Sequence, residues 1–377
     1  MKILFPIRAF YPHHGGGPSL SVYWMAKALV LKGQDVTVVT TTHGLENQFP
    51  TNTWNVVDGI NVQYCSSSWR LLRLTLSQIK NNDVLHLTSI CYWPSVVIAA
   101  YSKLFTNRLV IWSPRGELAE SAIKGSRVKQ ILFKLYGHLF RNRVYFHGTS
   151  DKEIEEIKQI LGSHKTINLP NYLDLSPKKN VPQRRYLLYL GRISPIKSLD
   201  KLFIALTLSK KFINSDYKLF LAGKSVIPEE VACEKQLKDQ VVKLGLQDRI
   251  QFLGEVGGSS KDDLLSGAFF SFLVSETENF GNVVVEAMAQ GTPVVTSLGT
   301  PWGGLKDNHV GYHVSNDPAV LAETIDMIMS LSDEEYQELR RRVYAFCVNE
   351  FSINDNIHKW VEMYADLMKS SKKNQLS

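Results

Sequence analysis

The chain has 377 residues, 44% hydrophobic and 21% charged, which excludes a disordered or collagen-like protein and leaves room for two domains of ordinary size. The net charge of +7 is uneven: residues 1–180 carry 21 Lys+Arg against 11 Asp+Glu, whereas residues 181–377 carry 22 against 25. That points to a local anionic partner on the first half, and no nucleic-acid partner is expected. Cys65, Cys91, Cys233 and Cys347 are too far apart in sequence for a zinc framework and read as reduced thiols of a cytosolic protein.

In chain order, the first apolar run, Ile3–Ile7, is broken by Pro6 and stopped by Arg8, too short for a secretory leader. A Gly15-Gly16-Gly17-Pro18 loop leads into a predicted helix, Ser19–Lys32. Short Val-, Ile- and Leu-rich runs follow at Val36–Thr40, Val84–Leu87, Leu109–Trp112 and Val144–His147, then a helix at Asp151–Leu161. Non-alternating runs of this length suit strands buried on both faces. The segment Leu175–Arg185, with two prolines and four basic residues, reads as an exposed linker.

Strands resume at Tyr186–Leu190, Lys218–Ala222, Ile250–Leu253, Phe269–Val274 and Val294–Thr296, with helices at Val231–Leu244 and Pro318–Leu331. After Ser332 only helices are expected, Asp333–Glu350 and Ile353–Met368, then a frayed tail. Alternating strands and helices on both sides of the linker predict an α/β protein with two parallel-sheet domains, residues 1–175 and 186–350, followed by residues 351–377. No run approaches the roughly 20 apolar residues of a membrane-spanning helix.

In open parallel sheets, ligands bind beyond the carboxyl ends of the strands. Gly-rich or charged loops follow Ile7, Leu190, Ala222 and Leu273. The loop after Leu273 carries Glu278-Asn279-Phe280-Gly281, then a predicted helix Asn282–Gln290 whose one charge, Glu286, lies in an apolar stretch. A carboxylate there needs donors, either a buried Lys or Arg or ligand hydroxyls. Backbone N–H groups of Phe280, Gly281 and Asn282 at the helix start favour an anion. Glu278, an anion cradle and Glu286 together fit a sugar diphosphate with a ribose beyond it. Arg192 and Lys197, after Leu190, suit a diphosphate. The plainer alternatives are a surface Glu278, a structural partner for Glu286 and ordinary loop cations. His14-Gly15-Gly16-Gly17 has no G-x-S-x-G nucleophile to serve, and Gly223-Lys224-Ser225 lacks the first glycine of a phosphate loop, because residue 218 is Lys.

The run Ser275-Glu-Thr-Glu278-Asn-Phe280-Gly281-Asn-Val283-Val-Val-Glu286-Ala-Met-Ala289-Gln-Gly291-Thr-Pro293-Val-Val295 resembles the retaining glycosyltransferases of family GT4, as do the loop Gly191-Arg192…Lys197 and the Gly-rich first loop. The resemblance extends over nearly the whole chain and implies a GT-B fold, two Rossmann-like doubly wound domains facing a cleft. It implies that Arg192 and Lys197 bind the donor diphosphate, that Glu278 contacts donor-sugar hydroxyls near the Asn279, Phe280, Gly281, Asn282 and Val283 backbone, and that Glu286 holds the ribose. Gly16 and Gly17 would approach the phosphate, and the last helix would cross back to the first domain. One departure concerns a histidine that many members carry in the first domain. Here Ser113-Pro114-Arg115-Gly116-Glu117-Leu118 stands in that region, similar to enzymes of bacterial surface-polysaccharide assembly, which makes Arg115 a catalytic-site candidate beside donor or acceptor. His86 and His147, which also end strands, read as satisfied core residues.

The implied reaction moves a sugar from a UDP- or GDP-sugar to an acceptor hydroxyl with retention, the leaving phosphate helping to take the acceptor proton. The implied acceptor is a lipid-linked saccharide in O-antigen or capsule assembly. No Asp-x-Asp occurs, and no metal or other cofactor is expected beyond the nucleotide-sugar substrate. Lys124–Arg143 is basic, with Val128, Ile131, Leu132, Leu135 and Leu139 at helical spacing. It suits either a core-facing helix with a solvated basic face or a helix lying on an anionic membrane, the latter making a cytoplasmic protein peripheral to the inner membrane. A sugar-nucleotide epimerase and a non-catalytic sugar-nucleotide-binding protein of the same fold remain alternatives.

Overall fold

A computed structural model describes the chain except residues 13–16, 44, 46–49, 164 and 374–377. It forms two compact units, Met1–Asp174 with Phe351–Ser377, and Leu175–Glu350.

The strands of the first unit are β1 (Lys2–Ile7), β2 (Asp35–Thr41), β3 (Trp54–Val57), β4 (Ile60–Cys65), β5 (Val84–Thr88), β6 (Leu109–Ser113), β7 (Tyr145–Gly148) and β8 (Thr166–Asn168). They form one sheet in the order β3-β4-β2-β1-β5-β6-β7-β8, parallel except for β3. Both faces are covered, which is why the strands lack polar alternation. Ile3, Phe5 and Ile7 pack on one face with the Gly17–Leu31 helix and with Ile353, Ile357, Trp360 and Tyr364 of the last helix, Ile353–Lys373. Leu4, Leu85, Leu87, Val110 and Trp112 pack on the other face, under the helices Ser68–Gln78, Trp93–Phe105, Arg127–Phe140 and Asp151–Leu161.

Sequence reading missed the β3–β4 hairpin. Its turn is Asp58-Gly59, both at positive φ (50° and 79°), the pairing that two-residue hairpin loops favour.

The Arg127–Phe140 helix turns the way its spacing left open. Phe133, Gly137 and Phe140 face the core, while Val128, Ile131, Leu132, Leu135 and Leu139 are exposed. Gly137 sets this orientation. A Cβ there would lie 2.0 Å from the Leu161 carbonyl oxygen, so the backbone itself presses on the neighbouring helix end. The helix is thus core-facing with a solvated basic side, but through Phe133, Gly137 and Phe140 and not through the five aliphatic residues.

The second unit holds β9 (Tyr186–Leu190), β10 (Lys218–Ala222), β11 (Ile250–Gly254), β12 (Phe270–Leu273), β13 (Val294–Ser297) and β14 (Gly311–Val314). All are parallel, in the order β11-β10-β9-β12-β13-β14. The chain builds outward from β9 in one direction and then from β12 in the other, so the crevice between their carboxyl ends is the topological switch point. Residues 175–185 are mostly exposed but not a loose tether. Lys179 N–H donates to Gln290 Oε1 (2.8 Å), Ser266 Oγ donates to the Lys179 carbonyl (3.0 Å), and Arg184 N–H donates to the Gly267 carbonyl (2.9 Å). Among the described residues no helix is long and apolar enough to cross a membrane.

Candidate active site

The loops after β9 and β12 meet at the switch point of the second unit. Gly191 ends β9 at φ 150° and its N–H donates to the Ala222 carbonyl (2.9 Å). The chain then makes a short turn, Pro195–Lys197, whose Ile196 carbonyl accepts from Glu276 N–H in the loop after β12 (2.8 Å). With the loops joined, Lys197 Nζ donates to Glu278 Oε2 at 2.5 Å. The two side chains are only 14% and 19% exposed, so this pair is poorly screened by water. Beside it, Tyr189 is buried with its OH donating to the Arg192 carbonyl (2.6 Å), and burial together with the Glu278 carboxylate pushes its phenol far above the usual range.

Glu278 is fixed from behind as well. Its N–H donates to the Gly299 carbonyl (3.2 Å) in the loop after β13. Gly281 follows at φ 79°, and a Cβ there would fall 2.7 Å from Leu273 Cδ2 and 3.3 Å from Glu278 Cγ. Phe280 is buried against Trp302, whose indole N–H donates to the Phe280 carbonyl (2.5 Å). The helix Asn282–Ala289 starts there, with Val283 half-buried in its first turn. Asn279, Phe280 and Asn282 each interact with other groups of the protein. The neighbouring Glu276 is bound by Ser198 Oγ, Lys201 Nζ and Asn316 Nδ2 at 2.9, 2.6 and 3.0 Å. Ser194 and Ser275, one in each loop, bury side-chain oxygens that have no hydrogen-bond partner among the described residues.

In two site carboxylate–cation pairs the partner was not named by the sequence reading. Glu286 is held by Lys261 from the Gly258–Gly267 helix at 3.0 Å, so the donor it requires is a lysine of the chain itself. Arg192 does not join Lys197. Its guanidinium, 67% exposed, reaches Glu230 Oε1 at 2.8 Å, and Glu230, 3% exposed, also accepts from Val226 N–H (2.9 Å). An acidic first turn at Pro228-Glu229-Glu230 was the available clue, but it reads equally as a helix-dipole charge. The open hollow between β14 and the helices Pro318–Ile328 and Asp333–Phe351 holds neither Glu278 nor Glu286.

In the first unit, Arg115 follows β6 in a left-handed conformation (φ 58°). Its Nη1 donates to Asn171 Oδ1 (2.6 Å), its buried Nε has no hydrogen-bond partner among the described residues, and it faces a cavity of ≈ 10 Å³ with Ser21, Met25 and Trp360, room for about one water. Glu153 fixes the turn by accepting from the N–H groups of Gly116 and Thr149, both at 2.8 Å. Behind Arg115 runs a buried chain, each link 2.8 Å: Tyr364 OH to His86 Nδ1, His86 Nε2 to Ser113 Oγ, Ser113 Oγ to His147 Nδ1, and His147 Nε2 to the Leu169 carbonyl. Burial and then the Arg115 charge depress His147 to about 3, and burial, His147 and Arg115 lower His86 too. Both are satisfied core histidines. Gly17 opens its helix and is exposed, whereas Gly16 lies outside the described residues.

Residues 174–346 match the model of the family glycosyl transferases group 1. That match spans nearly the whole of the second unit. Mannosylfructose-phosphate synthase of Agrobacterium fabrum is 32% identical over 115 residues, 30% of this chain and 25% of that one, so the match spans about a quarter of that relative. A GDP-mannose:cellobiosyl-diphosphopolyprenol alpha-mannosyltransferase of Xanthomonas oryzae pv. oryzae is 23% identical over 98% of this chain and 97% of its own. Among solved structures, Anabaena Alr3699/HepE in complex with UDP and glucose superposes with a TM-score of 0.75 at 19% identity, covering 96% of this chain and 100% of its own. That likeness shows the fold: two Rossmann-like units of the GT-B type.

Proposed function

We propose that the protein is a retaining hexosyltransferase that moves a sugar from a UDP- or GDP-sugar to an acceptor hydroxyl. The observation that carries this is the half-buried Lys197–Glu278 pair at the β9/β12 switch point. It sets a cation for phosphate beside a carboxylate for sugar hydroxyls, the two chemistries a nucleotide sugar presents together. Lys197, with Arg192 swinging from Glu230, stabilises the diphosphate as charge develops on it. Glu278 fixes the donor sugar against the Asn279–Val283 backbone, and Glu286, steadied by Lys261, receives the ribose hydroxyls. The GT4 resemblance assigns Gly17 to the phosphate and Arg115 to the donor or acceptor, while Gly16, which it also assigns to the phosphate, lies outside the described residues. With lysine and arginine supplying the positive charge, no metal is required. The leaving phosphate takes the acceptor proton, so the protein contributes positioning and charge rather than a covalent nucleophile.

The acceptor is a lipid-linked saccharide of cell-surface polysaccharide assembly, in keeping with the diphosphopolyprenol substrate named for the Xanthomonas relative. That acceptor places the enzyme in the cytoplasm, at the inner face of a membrane. A screen of UDP- and GDP-sugars for thermal stabilisation identifies the donor, and product analysis of Glu278→Ala tests the assignment. Transfer by that variant at the parent rate refutes the role of Glu278. Release of free sugar without acceptor marks an epimerase instead, and stabilisation without any turnover marks a binding protein.

A further inference from the structure

The helices Ser68–Gln78, Trp93–Phe105 and Arg127–Phe140 cover one face of the first unit's sheet, burying Leu71, Ile98 and Phe133 in a common core. Lys103 Nζ donates to the Leu139 carbonyl (2.7 Å) and ties the second of these helices to the third. Together the three contain six Lys and Arg residues and no Asp or Glu. Their outer sides are apolar: Leu104, Phe105, Val128 and Ile131 are 70%, 64%, 67% and 68% exposed. Trp69 and Trp93, also exposed, lie with ring centroids 4.6 Å apart. Isolated exposed apolar residues are normal, but a set this large on adjoining helices marks an interaction surface.

The charge pattern chooses the occupant. Two copies of this face brought together would oppose cations with cations and supply no carboxylate to pair them. A bilayer with anionic headgroups accepts both features at once. Aliphatic side chains enter the acyl boundary, tryptophans settle at headgroup level, and Lys and Arg reach the phosphates along their own stems.

We propose that this three-helix face docks the protein on an anionic lipid bilayer. The docking deepens the transfer reading, since a lipid-linked acceptor is then met at the surface where the enzyme sits, but its support is the face itself. The test uses the full-length protein and sedimentation with phosphatidylcholine vesicles, with and without phosphatidylglycerol. The protein should bind the anionic vesicles, and Leu104→Glu/Ile131→Glu, altering only exposed positions, should bind at least about tenfold more weakly. Arg127→Gln/Lys134→Gln should lose its preference for anionic over neutral vesicles. Each variant should keep the parent's thermal stabilisation by nucleotide sugar, which reads folding and the second unit's site independently. Absence of vesicle binding, unchanged binding by the variants, or a dimer in solution that Leu104→Glu/Ile131→Glu dissolves would each overturn the proposal. Loss of nucleotide-sugar stabilisation in the parent would instead overturn the transfer reading and leave the docking result standing.

Discussion

Replacing Lys197 with methionine removes the cation and keeps most of the stem. In the donor-free protein it strands Glu278, 19% exposed, without the lysine that meets it at 2.5 Å. Breaking a fully buried pair costs about 3–5 kcal/mol, and this pair retains some water, so a loss of about 2 kcal/mol is expected. For a unit of this size that is a fall in Tm of about 4–8 °C. The double variant Lys197→Met/Glu278→Gln has no stranded charge and should recover at least half of that loss. Activity should behave differently. Removing one donor that stabilises developing charge costs about 10²–10³ in kcat, and the double variant should be no better than the single one. Stability by thermal unfolding and turnover with the donor found by screening therefore separate. A Lys197→Met protein with kcat within a factor of about three of the parent would refute the placement of the lysine at the departing diphosphate. Recovery of activity alongside stability in the double variant would refute it equally.

Gly281→Ala should lower stability by about 1–3 kcal/mol, because the left-handed backbone and the 2.7 Å approach to Leu273 Cδ2 leave no room for a methyl group; parallel melts of parent and variant measure this, and an unchanged Tm would show that the loop relaxes freely. Glu286→Ala should weaken nucleotide-sugar binding about 10–100-fold in a thermal-shift titration, the value of one or two hydrogen bonds to a charged group, and undiminished affinity would remove the ribose from Glu286. The first unit should lose stability as pH falls from the ordinary histidine range near 6.5 toward 3. His147, held neutral to about 3, binds its proton in the unfolded chain first, so the unfolded state gains protons across that window at about 1.4 kcal/mol per pH unit. His147→Asn should flatten the decline in Tm measured between pH 7 and pH 5, and an equally steep decline in the variant would place its origin elsewhere.

The central strands were legible because they are buried on both faces, which leaves uninterrupted apolar runs such as Tyr186–Leu190 and Leu109–Trp112. The edges were not. β3 alternates exposed and half-buried residues and β14 is half-buried throughout, so neither stands out from a loop by hydrophobicity. The candidate site was legible where glycine and charge follow a strand end, at Gly191-Arg192 and Glu278–Gly281. Nothing local marks Lys261, and the acidic first turn that carries Glu230 reads equally as a helix-dipole charge. Each sits on a helix and acquires its partner only when the sheet brings distant loops together. Gly137 shows the same limit in packing, since its neighbour, the Leu161 carbonyl, is fixed by the fold and decides which side of a whole helix is dry.

The three pairs Arg192–Glu230, Lys197–Glu278 and Lys261–Glu286 share a design that bears on the donor. A cation held by a carboxylate is a weaker trap for free inorganic phosphate than a bare cluster of cations, because the incoming anion must compete with a carboxylate already in place. A nucleotide sugar loses less by that competition. On the proposed reading its phosphates would take the lysine and arginine, and its sugar and ribose hydroxyls would donate to the carboxylates those cations release or share. The pairs therefore favour a ligand carrying acceptors and donors in alternation over a simple anion. The thermal-shift screen can check this directly: a nucleoside diphosphate sugar should stabilise the protein more than pyrophosphate at equal concentration, and pyrophosphate stabilising equally well would show that the carboxylates contribute nothing to the choice.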